Sequence, residues 1–528
     1  MLGRSLCLIA ATVLSAQGPV VEESRLRAHL AFLADDLLEG RGTGQRGGEL
    51  TVRYLETQLQ AFGLRPAAAA GFLQKVKLLG IRTLREQTRL AFSTGKEVLV
   101  PTQEVDAILT GGLPRSETTV AAPLVFVGYG IEAPEEGWDD FKGMDLKGKL
   151  LLMLVNEPKP TAAEPGRFGG PALTFYGRWT YKYQQARRHG AAGVLLVHSD
   201  EEATYGWGVV RNSWAGERFQ MAPEGDGNPV QGWLSEGFAK RLLGAAGADL
   251  EILRAQAQRR DFRPIDLRIR VEGVLRSQVR RVDPCNVAGL VPGTDPALRD
   301  EAVIYSAHWD HFGREEGEPV RIYNGALDNA SGCAALLAMA QAAAARPAPR
   351  TQMFLFTCAE EQGLLGSEGY VRQPLWPLAK TVADLNLDVL NFVGRTQDIS
   401  LFGAERTTLL DIGIEVARGM GLGVAAGKPD TSGSYFRSDH FPFAKAGVPA
   451  FTIGSGLVWT EDAAAASQKL QAYAQRYHQT TDRYDPQWDL SGMVQQAQYT
   501  FNLGYVLAAA PTRPAWKQGA EPPARGSR

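Results

Sequence analysis

The sequence contains few cysteines. Its 528 residues include four, and setting aside Cys7, which lies in the N-terminal segment discussed below, leaves Cys285, Cys333 and Cys358. Such an odd and sparse set, without CxxC spacing, excludes a disulfide scaffold. Cys333 and Cys358 lie in alanine-rich or apolar stretches, which indicates small buried hydrophobic side chains rather than nucleophiles or metal ligands.

An excess of either charge is also missing. Lysine and arginine number 56, aspartate and glutamate number 58, and the formal net charge is -2. Without a basic block, nucleic acid is not an expected partner. The chain is too long for one ordinary hydrophobic core, so we expect two domains, one of them inserted in the other.

Long apolar runs are absent after the first residues. Arg4 precedes an apolar run from Leu6 to Leu14, and Ser15-Ala16 offers small residues for cleavage, which predicts a signal peptide over residues 1–17. The run is too short to span a bilayer. A buried N-terminal helix is the alternative, but the abrupt change to charged residues from Glu22 favours a cleaved peptide. We therefore expect a periplasmic or secreted protein without stable membrane insertion.

From Asn286 onward the sequence alternates apolar β runs with helical stretches. The β runs are 302–307, 352–358 and 382–390, and the helical stretches are 334–345 and 364–371. This alternation predicts an α/β fold with a mixed, mainly parallel central sheet flanked by helices. His308, Glu360 and Asp388 fall at or just past strand ends, where such sheets bind ligands, so we expect them in one site.

The sequence pattern changes in the middle of the chain. From about residue 110, short β runs alternate with Gly and Pro turns, which predicts a smaller, β-rich inserted domain. We expect an N-terminal part of the main domain at 22–110, the insertion at 111–256 and the rest of the main domain at 265–510. The segment 511–528 is rich in Pro, Gly and charge and is expected to be a disordered tail.

Five short signatures contain potential metal ligands: His308, Asp328, Glu360-Glu361, Asp388 and His478. Two divalent ions that share one carboxylate need about this set of oxygen and imidazole donors, with one further carboxylate left free as a base. Adjacent side chains need not point the same way, so one of the two glutamates can bind metal while the other faces the water to be activated.

Taken alone, each position has a simpler explanation. His308, with Asp310 two residues on, has the setting of a structural histidine as well as that of a ligand with a supporting carboxylate. Asp328 precedes a long alanine-rich helix and suits an N-cap. Asp388 lies in an apolar run, where an ionised acid is rarely unpaired, and His478 could be a surface histidine.

The order and context of these signatures resemble peptidase family M28, the co-catalytic zinc aminopeptidases. The matching stretches are Ser306-Ala-His-Trp-Asp310, Asn324-Gly-Ala-Leu-Asp-Asn-Ala-Ser-Gly332, Cys358-Ala-Glu-Glu-Gln-Gly-Leu-Leu-Gly-Ser367, Asn386-Leu-Asp388 and Tyr477-His-Gln-Thr-Thr-Asp482. The stretch from Leu33 to Gly44 resembles the leader segment of exported bacterial members. The stretches 125–130, 146–149 and 186–198 resemble the protease-associated (PA) domain that many members carry as an insertion.

The resemblance implies a binuclear site of the zinc exopeptidase type. Asp328 would bridge two Zn²⁺ ions, one completed by His308 and Asp388 and the other by Glu361 and His478. The ligand types alone also permit cobalt or manganese.

The resemblance also implies catalytic roles. Glu360 would be the general base that takes a proton from the attacking water and returns it to the leaving amine. Tyr477 would stabilise the developing oxyanion, with a packing aromatic as the alternative, and Asp310 would support a ligand without touching the metal. His311 and the triplet 438–440 are expected near the pocket.

The implied function is an exported exopeptidase that hydrolyses N-terminal residues from peptides. A carboxypeptidase or dipeptidase of the same family is the main alternative, because it differs only in pocket groups and would hold the substrate carboxylate with arginines. Those available by sequence are Arg314, Arg321, Arg372 and Arg437. A single-zinc glutaminyl cyclase and a non-catalytic scaffold are further alternatives, which the complete ligand set disfavours. The sequence does not indicate an oligomeric state.

Overall fold

The computed structural model describes residues 18–214, 216–222, 227–427 and 429–518. The predicted signal peptide and the last residues of the predicted tail lie outside these ranges. Within them the chain forms two compact units. The first comprises 18–76, 283–427 and 437–518, and the second comprises 429–436 with the described part of 77–282.

The helices and strands of the described residues are named here in chain order. The α-helices are α1 (Glu23–Leu33), α2 (Arg46–Ala61), α3 (Trp179–Arg188), α4 (Asp200–Ala203), α5 (Trp207–Trp214), α6 (Glu236–Ala245), α7 (Leu250–Ala257), α8 (Ser331–Ala345), α9 (Leu365–Arg372), α10 (Leu409–Gly419), α11 (His440–Lys445), α12 (Ala463–Ala474) and α13 (Ser491–Ala509). The strands are β1 (Arg65–Pro66), β2 (Leu73–Lys75), β3 (Leu78–Thr83), β4 (Arg89–Ser93), β5 (Val98–Leu99), β6 (Ala107–Gly111), β7 (Glu117–Phe126), β8 (Glu132–Ala133), β9 (Trp138–Asp139), β10 (Leu150–Leu154), β11 (Gly193–Val197), β12 (Arg218–Met221), β13 (Val230–Leu234), β14 (Ile265–Val282), β15 (Cys285–Val291), β16 (Ala302–His308), β17 (Gly313–Glu315), β18 (Arg321–Tyr323), β19 (Thr351–Thr357), β20 (Thr381–Asn386), β21 (Asp398–Phe402), β22 (Gly423–Val424) and β23 (Ala450–Ser455). None of the described helices is both long and apolar enough to cross a membrane.

The first unit is built on a nine-stranded sheet. Its order is β1-β15-β19-β16-β20-β23-β21-β22, with β2 paired to β15. The centre is parallel, because β16 runs parallel to both β19 and β20, and β20 runs parallel to β23. β15 and β21 run antiparallel to β19 and β23. The predicted mixed, mainly parallel α/β sheet is confirmed.

Apolar sequence explains the burial of the central strands. Every residue of β16 and β19 is buried, and both strands begin and end within one residue of their predicted bounds. The alanine-rich helix α8 packs against them and against α13. Its small side chains favour helix and allow close approach to the sheet.

One strand is shorter than predicted. The pairing of β20 with β16 stops at Asn386, and a left-handed residue, Val389, turns the chain soon after. Asp388 therefore lies just past the end of β20 instead of inside a strand that continues to residue 390. The change moves its carboxylate to the edge of the sheet where His308 ends β16.

The second unit has its own ten-stranded sheet. Strands β7, β10, β11 and β13 form a parallel section, and the long strand β14 pairs antiparallel with β3, β4 and β7. The expected insertion at 111–256 is therefore corrected to a unit that extends from 77 to 282. The sequence change near residue 110 marks the parallel section, whereas the flanking strands join the same sheet through β14.

The expected disordered tail is corrected for residues 511–518. Arg513 Nε donates to Glu301 Oε1 at 2.9 Å, and the N–H of Ala515 donates to Thr408 Oγ1 at 3.0 Å. A β-bridge also joins Trp516 to Thr407. These contacts order a segment whose composition alone predicts disorder.

Candidate metal centre

His308 is the last residue of β16 and is only 1% exposed. Its Nε2 lies 3.3 Å from Asp388 Oδ1 and 3.3 Å from Asp328 Oδ1. Its Nδ1 lies 3.1 Å from the main-chain oxygen of Asp310. An Nδ1–H that donates to this carbonyl leaves the Nε2 lone pair facing the two carboxylates, as a metal-binding imidazole requires.

Asp328 lies in a turn immediately before α8 and faces two histidines. Its Oδ1 lies 3.3 Å from His308 Nε2, and its Oδ2 lies 3.3 Å from His478 Nε2. The alternative role as helix N-cap is wrong, because α8 has Ala330 at its N-cap position and no side chain caps it. Asp482 fixes the turn by accepting hydrogen bonds from the N–H groups of Leu327 and Asp328, each at 3.2 Å.

The two adjacent glutamates take different positions. Glu361 Oε2 lies 3.4 Å from His478 Nε2, whereas Glu360 Oε2 lies 4.0 Å from His308 Nε2. Ala359 before them has a left-handed backbone, with φ of 54°. The chain thus turns sharply after β19 and directs one carboxylate to each histidine.

Three acids of this cluster, Glu360, Glu361 and Asp328, have strongly shifted pKa values when only protein groups surround them. Burial raises the pKa of Glu360 well above its ordinary value, and the charge of Glu361 adds to the rise against the charge of His308. Burial also raises the pKa of Glu361 to about 8. For Asp328, burial pushes the pKa upward, but hydrogen bonds with His308 and His478 outweigh it and hold the pKa well below its ordinary value. The protein alone supplies too little positive charge for Glu360 and Glu361, a deficit that divalent cations would relieve.

The separations around the two histidines match those between ligand atoms of a tetrahedral zinc ion. At zinc–ligand distances of about 2.0–2.2 Å, neighbouring ligand atoms of a tetrahedron lie about 3.3–3.6 Å apart. The separations of 3.3 Å around His308 Nε2 and of 3.3 and 3.4 Å around His478 Nε2 fall in this range. Asp328 belongs to both groups. The residues present therefore suit a pair of ions that share one carboxylate.

The part of the chain that holds these donors matches a known family. Residues 286–501 match the model of Peptidase family M28. This segment is an M28 peptidase domain.

Among curated proteins, leupeptin-inactivating enzyme 1 of Streptomyces exfoliatus is 32% identical over 198 residues, which cover 36% of this chain and 41% of that protein. The chain thus spans less than half the length of that relative. Among solved structures, an aminopeptidase from Aneurinibacillus sp. strain AM-1 is 17% identical, with a TM-score of 0.55 over 96% of this chain and 97% of that one. The two share a fold. A zinc aminopeptidase from Bacillus subtilis aligns with a TM-score of 0.47 at 17% identity, over 93% and 97% of the two chains.

Asp388 of the M28 domain is held by residues that sequence reasoning placed only near the pocket. Ser438 Oγ donates to Asp388 Oδ2 at 2.6 Å, and Asn386 Nδ2 donates to Ser438 Oγ at 2.5 Å. Asn386 Nδ2 also donates to Thr452 Oγ1 at 3.0 Å. Because Ser438 lies fifty residues beyond Asp388 in the chain, no local pattern links the two.

Asp310 of the M28 domain was expected to support His308 through its carboxylate, but its main-chain oxygen is the nearer partner. Its carboxylate Oδ1 is 3.9 Å from His308 Nδ1, whereas its main-chain oxygen is nearer, at 3.1 Å. The carboxylate instead accepts a hydrogen bond from the main-chain N–H of Glu360 at 3.0 Å and one from Thr43 Oγ1 at 3.3 Å. Asp310 therefore links the loop after β16 to the loop that carries the two glutamates.

Three further side chains of the M28 domain complete the surroundings. His311 Nδ1 lies 2.5 Å from Glu361 Oε1, which makes it a partner of that carboxylate. The ring of Tyr477 stacks on His478, with centroids 3.8 Å apart, and burial raises the pKa of Tyr477 well above its ordinary value, so its hydroxyl keeps its proton. Tyr473, which the sequence did not single out, has a buried hydroxyl without a hydrogen-bond partner among the described residues.

Proposed function

We propose that this chain is an exported two-zinc exopeptidase that removes N-terminal residues from peptides. The observation that carries the proposal is the position of Asp328, whose two oxygens each lie 3.3 Å from a different histidine nitrogen. The M28 domain supports hydrolysis of peptides as the reaction. The complete set of donors argues against a single-zinc glutaminyl cyclase and against a scaffold that has lost its ligands.

In this proposal Glu360 transfers the proton from the attacking water to the leaving amine, and Tyr477 donates a hydrogen bond to the oxyanion. When bound, two zinc ions would activate a water molecule and polarise the scissile carbonyl. Glu360 lies outside the 3.3–3.4 Å contacts of the donor groups, since its Oε2 is 4.0 Å from His308 Nε2. This longer distance supports a role in which Glu360 accepts a proton at this oxygen from the attacking water and returns it to the leaving amine. The protonated hydroxyl of Tyr477, beside His478, is a suitable hydrogen-bond donor to the developing oxyanion.

Three of the four arginines named from the sequence are paired with acids, which favours an aminopeptidase over a carboxypeptidase; the fourth is Arg437, whose charge acts on Tyr477. Arg321 Nη2 pairs with Glu315 at 2.7 Å, and Arg372 Nε pairs with Glu368 at 2.9 Å. Arg314 lies 3.4 Å from Glu316. An arginine already neutralised by an acid is a poor anchor for a substrate carboxylate.

For the second unit, whose sequence resembles a PA domain, we propose that it restricts access to short peptides. Peptides of three and of twenty residues with the same N-terminal residue test this proposal. The shorter peptide is expected to be cleaved with the higher kcat/KM, and equal values would count against it.

Mass-spectrometric analysis of products from tripeptides tests the main proposal. Free and N-acetylated tripeptides are incubated with zinc-loaded protein and with a chelator-treated control. Loss of the first residue from the free peptides alone, abolished by the chelator, is the expected result. Trimming from the carboxyl end or cleavage of dipeptides alone would favour the alternative enzyme class, and no chelator-sensitive product would contradict the proposal.

A further inference from the structure

Arg41 is a buried arginine that donates hydrogen bonds to four main-chain carbonyls. It is 1% exposed. Its Nε donates to the oxygen of Trp309 at 2.8 Å, and its Nη2 donates to that of Gly325 at 2.8 Å. Its Nη1 donates to the oxygens of Leu33 and Asn324, both at 2.6 Å. One guanidinium therefore ties three separate segments of the chain together.

Two of those segments carry metal-binding residues. Trp309 directly follows His308, and Gly325 precedes Asp328 by three residues. The third segment, 33–43, comes from the N-terminal part of the chain and includes Leu33. Thr43 in the same segment donates to the carboxylate of Asp310 at 3.3 Å.

Asn324, in the loop before Asp328, forms further hydrogen bonds between that loop and the segment 33–43. Its Nδ2 donates to the main-chain oxygen of Ala34 at 3.0 Å and to Asp36 Oδ1 at 2.7 Å. The segment 33–43 and the loop before Asp328 are thus joined through both Arg41 and Asn324. The residues that these contacts join are far apart in sequence. The contacts therefore form only when the segment 33–43 packs against the loop before Asp328.

The charge of Arg41 also suits this position. Burial lowers the pKa of Arg41, and the charges of Asp482, Asp328 and Asp310 are among those that oppose the shift. Guanidinium nonetheless keeps its proton in proteins. Since no carboxylate among the described residues pairs with Arg41 directly, its charge acts on the acidic cluster as a whole while its donors fix the loops.

We propose that Arg41 is a positioning residue for both metal sites, so that docking of the segment 33–43 is required for tight zinc binding. The inference rests on the proposed two-zinc function. Lysine cannot replace this arginine, because three donors on one nitrogen cannot reach four carbonyls in different directions, whereas a guanidinium offers five donors in a fixed plane.

Arg41→Lys tests the inference, with Arg350→Lys as the matched control. Arg350 is also 1% exposed, and its Nη1 donates to main-chain oxygens, including that of Leu507 at 3.0 Å. Its Nε additionally pairs with Glu301 at 2.8 Å, and none of these partners lies in a ligand-bearing loop. Zinc affinity is measured for each full-length protein by competition with a chromogenic chelator, and Tm is measured on the same samples. Both variants are expected to lose thermal stability, and only Arg41→Lys is expected to bind zinc about 10–100-fold more weakly.

The outcomes separate this inference from the proposed function. Wild-type protein that binds fewer than two zinc ions refutes the two-zinc function itself. If wild type binds two ions and Arg41→Lys binds them equally tightly despite a lower Tm, Arg41 is merely structural and the inference is overturned. Should Arg41→Lys fail to fold, Asn324→Ala replaces it: weaker zinc binding supports the role of the junction, and unchanged binding overturns it.

Discussion

Replacing Ser438 by alanine is expected to weaken zinc binding although none of the candidate ligands is mutated. The hydroxyl donates to Asp388 Oδ2 at 2.6 Å, and Ser438 is only 5% exposed. A hydrogen bond to a charged group contributes about 1.5–3 kcal/mol. Its loss lets the carboxylate rotate and leaves one of its oxygens without this donor, so the free energy of zinc binding should fall by a similar amount.

This energy corresponds to a decrease in affinity of about 10–150-fold, since about 1.4 kcal/mol is one decade. The loss should be largest for the ion that His308 and Asp388 would hold, because Asp388 is the candidate ligand that Ser438 contacts. Competition with a chelator of known affinity measures the two binding steps, and Ser438→Thr should retain most of the affinity because it keeps a hydroxyl.

Ser367→Ala is the matched control. Ser367 Oγ donates to Asp439 Oδ1 at 2.5 Å, so it is also a buried hydroxyl bonded to a carboxylate, but one outside the predicted ligand set. If Ser438→Ala and Ser367→Ala change zinc affinity equally, or neither changes it, the argument that Ser438 positions a ligand is refuted.

Three further outcomes follow from the site and from a buried histidine. Glu360→Gln should keep two zinc ions by elemental analysis and lose about 10²–10⁴-fold in kcat, whereas loss of metal would show that the roles of Glu360 and Glu361 are reversed. Removing zinc with a chelator should lower Tm, because each site occupied at 100 times its Kd stabilises the folded state by about 2.7 kcal/mol; an unchanged Tm would argue against bound metal. Burial, aided by the charge of Arg25, lowers the pKa of His29 from 6.5 to about 4, so its stabilising effect is complete above pH 6.5 and is lost as pH falls toward 4. Relative to wild type, His29→Gln should therefore be less sensitive to acid by about 3 kcal/mol in the free energy of unfolding, and parallel pH profiles of the two proteins would contradict this.

Sequence reasoning could predict the centre of the first unit because its signals are local. Apolar runs mark β16 and β19, and polar residues directly after them mark the edge where a site forms. The positions of His308 and of Glu360-Glu361 follow from that pattern. The end of β20 was predicted four residues too late, because apolar residues continue past Asn386 although pairing with β16 does not.

The supporting contacts were beyond prediction because they join distant parts of the chain. Arg41 and Trp309 are separated by 268 residues, and no periodicity connects them. The extent of the second unit was missed for a related reason. The pairing of β3 with β14 links strands on either side of the predicted insertion, while composition changes only near residue 110.

Anomalous diffraction from crystals of the zinc-loaded protein tests the central claim most directly. Two zinc peaks about 3.5–4 Å apart are predicted, one beside His308 and Asp388 and the other beside His478 and Glu361, with Asp328 in contact with both. A single peak, or two peaks of which only one touches Asp328, would contradict the shared-carboxylate site.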